Sequence, residues 1–494
     1  MGQLRFLVSR PDRLPKSAIE RIYSAAYEGI PLRSQIRQSD GTLVVDRDSD
    51  DSVAVFVPWR VAGHGELLLS TTSLMEREAP YHLEVELARG TLSRLRDQQA
   101  AWELAGAEVS DEFRAQCSVA SASFCQAATC QTDPVQAADK AIEALTQTLD
   151  ASELLVRDYT RQVLAARHQQ TAKLPTLLAC NMEEHALDDA SAAALLSTFN
   201  AAVVPFSWRD IETNPGQREW TLHDKQVQWC RGHGLRVCSG PLLAFDAAHL
   251  PDWIYLWEGD FENLHSYVFK YVQAVARRYA GSVQVWHCSG ATNVPGAMRL
   301  TEEQRLRLTV AAIDAVKASD PSAPVIVSCD QPWGEFMHNQ DLDLSPLHFA
   351  DALVRADLGL SGIALEINFG CWPGGSPPRD LLAFHELIER FASLGLPLLV
   401  LLTVPSASGP DPRARSKGKP VGDGDDAWTP QRQEDRARRM VSLLLAKPAV
   451  HGIIWNELSD AKPHGFPHGG LLDSQDRPKP ALASLTRIRH EHLT

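Results

Sequence analysis

The sequence predicts an α/β protein: a (β/α)8 TIM barrel preceded by a β-rich, sandwich- or jelly-roll-like N-terminal module and a helical connector. Two observations carry the barrel. Eight apolar runs recur after about residue 174, and a helix-patterned stretch follows each of them. Buried parallel strands read as nearly continuous apolar runs, because helices cover the outer face and packed side chains fill the inner one. A third observation separates the N-terminal part: its apolar runs are short, divided by turn residues, and have no helical spacers.

In chain order, residues 1–110 contain QLRFLVSR, GTLVVDR, SVAVFVPWRV, GELLLSTTSL and YHLEVELARG, with Asp40-Gly41 and Gly63-His64-Gly65 as turns. Such modules often bind sugars, although fold alone does not assign that role. Residues 111–173 form the connector. The stretch 134–168 has apolar residues at helical spacing, and Asp133-Pro134 is a helix start. The barrel occupies 174–494. Its strands are LPTLLACN, NAAVVPFSW, LRVCSGPLLAF, VQVWHCSG, PVIVSCD, GIALEINFG, LPLLVLLTV and HGIIWNEL. A long loop rich in Pro, Gly and charge, 406–427, follows the seventh strand. It falls on the C-terminal face, where barrel enzymes build their sites.

Composition narrows the function. The chain has 494 residues, 44% of them hydrophobic and 22% charged, with a net charge of -14. An acidic surface repels polyphosphates, so nucleic acid is not the expected partner. No apolar run approaches the roughly 20 residues that span a bilayer, which argues against a membrane partner. The N-terminus lacks the apolar stretch of about 7–15 residues of a signal peptide, so a cytoplasmic location is expected. Nine cysteines without paired spacing read as reduced core thiols. No nucleotide-binding or nucleophile-elbow motif is present, and no CxxC or His-x-x-x-His spacing; neither a cofactor nor a metal is expected. The oligomeric state is not legible.

FNAAVVPFSWRDIETNPGQREWTLHDKQVQWCRGHGLRVCSGPLLAFDAAHLPDWI resembles the second-to-third strand region of glycoside hydrolase family 10, the xylanase-type barrels. The matching elements are Trp208, Ile211-Glu212, Pro215-Gly216-Gln217, Trp220, Asp224, Gly234 and Pro251-Asp252-Trp253. HGIIWNELSDAKPHGFPHGGLLDSQDRPKPAL is similar to the family's eighth strand and ending, through Trp455, Asp460, Gly469-Gly470-Leu471-Leu472 and Pro478-Lys479-Pro480-Ala481. The resemblance spans roughly 175–490 and implies the barrel and a carbohydrate ligand. The departures fall on the chemistry. The family's acid/base Glu ends the fourth strand, where this chain has Gly290-Ala291. Its nucleophile Glu lies on the seventh strand, at Leu401 or Leu402 here, and the third-strand Gly-His is Ser239-Gly240. Both usual catalytic carboxylates are absent.

Hydrolysis of a glycosidic bond needs two carboxyl groups, about 5 Å apart for retention and roughly 6.5–9.5 Å for inversion. The remaining carboxylates at strand ends are Asp330 on the fifth strand, Glu366 on the sixth, and Glu457 and Asp460 after the eighth. A Glu inside the apolar GIALEIN is costly unless paired or functional. Glu366 is therefore the leading catalytic candidate, and Asp330 on the next strand its partner; Glu335 could substitute for Asp330. Trp208, Trp286, Trp333, Trp372 and Trp455 are candidate stacking platforms for sugar rings. Arg209, His287, Asn293, Asn368, Asp460 and His468 are candidate hydroxyl contacts. Three readings follow: a glycoside hydrolase with relocated carboxylates, an inert barrel that binds glycans, or a scaffold protein.

Overall fold

The computed structural model describes residues 2–494 except Lys16, Tyr27, Asp40 and Asp423. The first half of the Asp40-Gly41 turn thus lies outside the described residues. Eight short strands open the chain: β1 (Gly2–Leu7), β2 (Tyr23–Ala25), β3 (Pro31–Leu32), β4 (Ser34–Ser39), β5 (Thr42–Arg47), β6 (Ala54–Val61), β7 (Gly65–Ser70) and β8 (Tyr81–His82). They form two four-stranded sheets, ordered β4-β5-β1-β8 and β3-β2-β6-β7. Alternation explains their shared core: Leu4 and Phe6, Leu43 and Val45, Val55, Val57 and Trp59 all point into one apolar cluster.

Three helices follow: α1 (Leu83–Leu104), α2 (Asp111–Thr129) and α3 (Pro134–Gln170). The start of α3 is as the sequence implies, with Pro134 in the first turn and the Asp133 side chain accepting from Gln136 N. The start of α1 is not. YHLEVELARG reads as a strand, but only Tyr81–His82 pair in a sheet, and Leu83 begins a helix. The alternating Leu83, Val85 and Leu87 are all buried because both flanks of the helix meet the module core. Gly90 lets α1 cross the end of β7: a Cβ there would lie 2.1 Å from Ser70 O.

The barrel contains β9 (Leu177–Asn181), α4 (Asp189–Thr198), β10 (Ala201–Val204), α5 (Trp208–Ile211), α6 (Thr221–Gly232), β11 (Arg236–Ser239), β12 (Leu243–Ala244), α7 (Phe261–Tyr279), β13 (Trp286–Gly290) and α8 (Glu302–Lys317). It continues through β14 (Val325–Asp330), α9 (Pro346–Arg355), β15 (Gly362–Asn368), β16 (Cys371–Trp372), α10 (Leu381–Ala392), β17 (Leu398–Thr403), β18 (Lys419–Pro420), α11 (Pro430–Leu445), β19 (Val450–Trp455) and α12 (Pro480–His492). The eight wall strands β9, β10, β11, β13, β14, β15, β17 and β19 pair in parallel, one within each of the eight apolar runs. Ser239 N donates to Val285 O at 2.9 Å and closes the ring between β11 and β13. Inward positions hold Ala179, Ala201, Val203, Ile326, Ala364, Leu401 and Ile454. The intervening residues, such as Val327, Leu365 and Leu402, pack outward under the helices. Among the described residues no helix is long and apolar enough to cross a membrane.

A buried network joins the N-terminal sheets to the barrel, alongside the Leu68 N–Pro378 O hydrogen bond. Arg379, 1% exposed, donates to Glu335 Oε1 at 2.9 Å and to Tyr23 OH at 2.8 Å. Its guanidinium lies over Trp333 and Phe56. Trp333 and Glu335, expected at a sugar site, therefore sit in this seam, where the guanidinium needs a carboxylate and a ring face. Removing one partner of a buried ion pair strands the other charge, which typically costs about 3–5 kcal/mol. Arg379→Met should destabilise the protein by that order in urea denaturation, and adding Glu335→Gln should recover a large part. Equal losses in the single and double variants would show that the pair does not hold the seam.

Candidate active site

The side-chain period of two decides what faces the barrel axis. On β14, Ile326, Ser328 and Asp330 share the inner face; on β15, Ala364, Glu366 and Asn368 do. The register pairs Asp330 with Glu366. Two carboxyl groups thus occupy the last inward rung of adjacent strands, at the C-terminal mouth. They line a cavity of about 440 Å3. Both are half-buried in the cavity wall. Burial, and then the Glu366 charge, push the Asp330 carboxyl well above the usual range; burial raises Glu366 as well. Donors offset part of this: Ala291 N reaches Asp330 Oδ1 at 2.9 Å, and Asn368 Nδ2 reaches Glu366 Oε1 at 3.2 Å. Two such groups side by side each make ionisation of the other less favourable.

Opposite them, the segment after β12 supplies an ion pair that the sequence reading missed. His249 Nδ1 lies 2.7 Å from Asp246 Oδ2, and Asp246 Oδ1 accepts from Ala248 N at 2.8 Å. Burial opposes the charge on His249, but Asp246 outweighs it and lifts the imidazole to about 9. The imidazolium favours ionisation of Asp330 and Glu366 and Asp246 opposes it, His249 being the stronger at Glu366 and Asp246 at Asp330. The only signal in the sequence was an Asp and a His three apart just after an apolar run.

Strands one and eight contribute a second carboxyl pair. Glu183 adopts the left-handed conformation (φ +61°) just after β9, and its Oε1 accepts from Leu458 N and Ser459 N, both at 3.0 Å. Glu457 accepts from Gly465 N at 3.0 Å and Phe466 N at 3.1 Å. Burial and the neighbouring Glu183 raise Glu457 well above its ordinary value, and burial raises Glu183. Ala291 (φ +52°) and Gln331 (φ +46°) are also left-handed, each directly after a strand end. Such strain in non-glycine residues concentrates where a site fixes the backbone.

The loop 406–427 folds over this mouth. Arg415 N and Ser416 N bond His464 O and Gly465 O, each at 2.9 Å, and the Arg415 guanidinium pairs with Glu184 across the opening. Asp411 Oδ2 bonds His464 Nε2 at 2.9 Å and accepts from His468 N at 2.9 Å.

Of the residues singled out from the sequence, Asp330, Glu366, Glu457 and His287 line the cavity. Burial lowers His287 to about 4, so its ring is neutral, and its Nε2 has no partner among the described residues. Asn368 stands behind Glu366, and Asn293 fixes Asp330 by bonding both its N–H (2.8 Å) and its carbonyl (2.9 Å). Arg209 sits outside the rim, on Ala247 O and Asp252.

The others lie elsewhere. Trp208 is buried and stacked on Tyr271, its centroid 4.8 Å away, with Nε1 on Glu212. Trp455 follows inward-facing Ile454 and so points outward, donating to Gly469 O at 3.0 Å. Trp286 starts β13, at the end remote from the mouth, and bonds Asp320. Trp372 belongs to the small β16–β18 ribbon. Asp460 is tied to Lys479, and His468 Nε2 lies 2.8 Å from Gly409 O. The tryptophans proposed as stacking platforms fill the core or the loop packing; the rings that line the cavity are Phe206 and Phe466. Among the described residues, no group of three or more His, Cys, Asp or Glu is arranged to hold a metal ion.

Both vacated family positions are in the wall. Ala291 and Leu401 line the cavity, whereas Leu402 faces outward. At Gly290 a Cβ would lie 3.1 Å from both Ser328 Oγ and Pro241 Cβ, so the wall there admits no side chain without a shift.

No family model matches the chain, and no curated protein matches it in sequence. Solved structures do. Native xylanase 10B from Thermotoga maritima aligns with 17% identity and a TM-score of 0.50, over 66% of this chain and 98% of that one. Xylanase 10B from Thermotoga petrophila RKU-1, solved in complex with xylobiose, aligns with 17% identity and a TM-score of 0.49, over 68% and 97%. A family 10 protein from Paenibacillus barcinonensis gives 17% and 0.49, over 66% and 98%. The chain has the barrel fold of family 10 glycoside hydrolases.

A carboxyl raised by folding binds more protons in the native than in the unfolded state. Its contribution therefore falls as pH rises through the window above the ordinary carboxylate value near 4. Asp330→Asn removes one such group while keeping the Ala291 N–H contact available to an amide oxygen. The variant should gain stability relative to the unaltered protein between pH 5 and pH 8, measured as the difference in urea midpoints. A difference that is constant over that range would show that Asp330 ionises normally.

Proposed function

We propose that the protein is a glycoside hydrolase that holds a carbohydrate in the mouth of the barrel and uses Asp330 and Glu366 as its catalytic residues. The single observation behind this reading is the in-register carboxyl pair on the last inward rung of β14 and β15. Adjacent strands are about 4.8 Å apart, close to the roughly 5 Å separation of a retaining pair. Asp330 receives two upward pushes, from burial and from Glu366, so it keeps its proton and serves as the general acid to the glycosidic oxygen. Glu366, with one oxygen held by Asn368, is the carboxylate that meets the positive charge developing at the anomeric carbon. His249 favours the charged form of Glu366, whereas at Asp330 the stronger influence is Asp246, which favours the protonated form.

A second reading has its own support. Ala291 and Leu401 stand in the wall where xylanase-type sites carry their carboxylates, and neither can donate a proton or attack carbon. On that reading the barrel binds a glycan without cleaving it.

A panel of aryl glycosides and oligosaccharides separates the two. Hydrolysis is expected, and Glu366→Gln should lower kcat by about 100-fold or more with the melting transition retained, because the amide keeps the shape but carries no charge. Saturable sugar binding without turnover, weakened only modestly by Glu366→Gln, selects the glycan-binding reading. Neither binding nor turnover would remove both.

A further inference from the structure

Of the six carboxyls on the cavity wall, Glu184 and Asp246 are ion-paired and four are not. Arg415 is paired with Glu184, His249 with Asp246 and His464 with Asp411. Lys462 is near enough to influence Glu183 but is bound to Asp188 at 2.6 Å. Glu183, Glu457, Asp330 and Glu366 have no cationic partner within ion-pair distance among the described residues. In each, the protein's donors reach a single oxygen: Oε1 of Glu183, Glu457 and Glu366, and Oδ1 of Asp330. The second oxygen of each accepts no hydrogen bond from the described residues. Glu457 shows the imbalance best, being 5% exposed with an Oε2 that nothing reaches. His287, 2% exposed, adds an unpartnered Nε2 on the same wall.

Neutral hydroxyls can satisfy lone pairs, but they do not offset charge. Four carboxyls in one small cavity, Glu457 buried and Asp330, Glu366 and Glu183 half-buried, concentrate negative charge in its wall, and that is costly until a cation enters. The two pairs lie on different walls. Asp330 and Glu366 end the fifth and sixth strands; Glu183 and Glu457 follow the first and eighth, with Leu401 of β17 between the walls. A sugar whose glycosidic bond meets the first pair turns its other substituents toward the second.

We infer that the site selects an aminodeoxy sugar, whose ammonium group is received by Glu183 and Glu457 while Asp330 and Glu366 address the glycosidic bond. The inference rests on the carbohydrate-active reading and specifies its substrate class. The ammonium supplies what the wall lacks: one positive charge and three donors for oxygens that have none. Glu457, the more deeply buried, is the specificity-determining residue.

The test compares aryl glucosaminide, its N-acetylated form and aryl glucoside, with the corresponding short oligosaccharides in equilibrium dialysis. The free amine should exceed both others by at least tenfold in kcat/KM or in affinity, and Glu457→Gln should collapse that ratio. Glu183→Gln provides the same reading should the Glu457 variant not fold. Turnover or binding of the neutral sugars at equal efficiency overturns the inference and leaves the carbohydrate-active reading standing. A preference in dialysis without turnover supports the substrate class while removing hydrolysis. No binding of any sugar overturns both.

Discussion

Everything at the mouth follows from one constraint: in a closed barrel of parallel strands, every second side chain must point at the axis. Near the bottom of this barrel the inward places are taken by Ala179, Ala201, Ala364 and Ile326, which fill a narrow space without polar atoms. At the top the same rows continue into Asp330 and Glu366. Their position is not free: shifting β15 by one residue would turn Glu366 outward into the helix layer and bring Leu365 or Ile367 to the axis. The rung that pairs Asp330 with Glu366 is therefore held by the whole hydrophobic pattern of two strands, and the chemistry inherits the precision of the packing.

That placement has an energetic cost, and the surrounding structure shows how it is met. Each carboxyl has one oxygen held by nearby donors: Ala291 N for Asp330, Asn368 for Glu366, Leu458 N and Ser459 N for Glu183, Gly465 N and Phe466 N for Glu457. Aiming some of these groups takes backbone strain at Glu183 and Ala291. The strain is absorbed by loops that are themselves pinned, as Asp411 pins the turn through His464 and His468. The N-terminal sheets contribute from outside. Their seam with the barrel orders the segments after β14 and β15, through Glu335 and Arg379, a few residues beyond the catalytic candidates.

Much of this was legible in the sequence, for reasons that can be named. The eight apolar runs specify a parallel barrel because burial on both faces leaves no alternation to misread. Glu366 stood out because a charge in GIALEIN conflicts with its neighbours, and Asp330 because it ends the adjacent run. The tryptophans misled because a ring near a strand end can face either way, and one residue of register decides it: Trp455 follows Ile454, which took the inward place. YHLEVELARG misled for a related reason, since a helix buried on two flanks and a strand show the same local alternation. His249 and Asp246 escaped notice because they meet the pair only through the closure of the barrel, which no local window contains. The role of Glu335 was hidden likewise: its partner Arg379 is distant in sequence, and the seam joins separately folded layers.

Strands four and seven carry Ala291 and Leu401 at the cavity wall, and the unpaired carboxyl groups stand instead on strands five and six on one side and after strands eight and one on the other. A pair on neighbouring strands alone would crowd one flank of a bound sugar. The second pair restores negative charge to the far flank, so a ring held between the walls meets a carboxyl on each side. On the proposed hydrolase reading, cleavage through an oxocarbenium-like state draws on the Asp330–Glu366 side, which offers a proton to the leaving oxygen and negative charge to the ring. The same geometry explains why the two pairs differ in their partners. The His249 imidazolium acts on Asp330 and Glu366, whereas Glu183 and Glu457 have no ion-pair partner among the described residues.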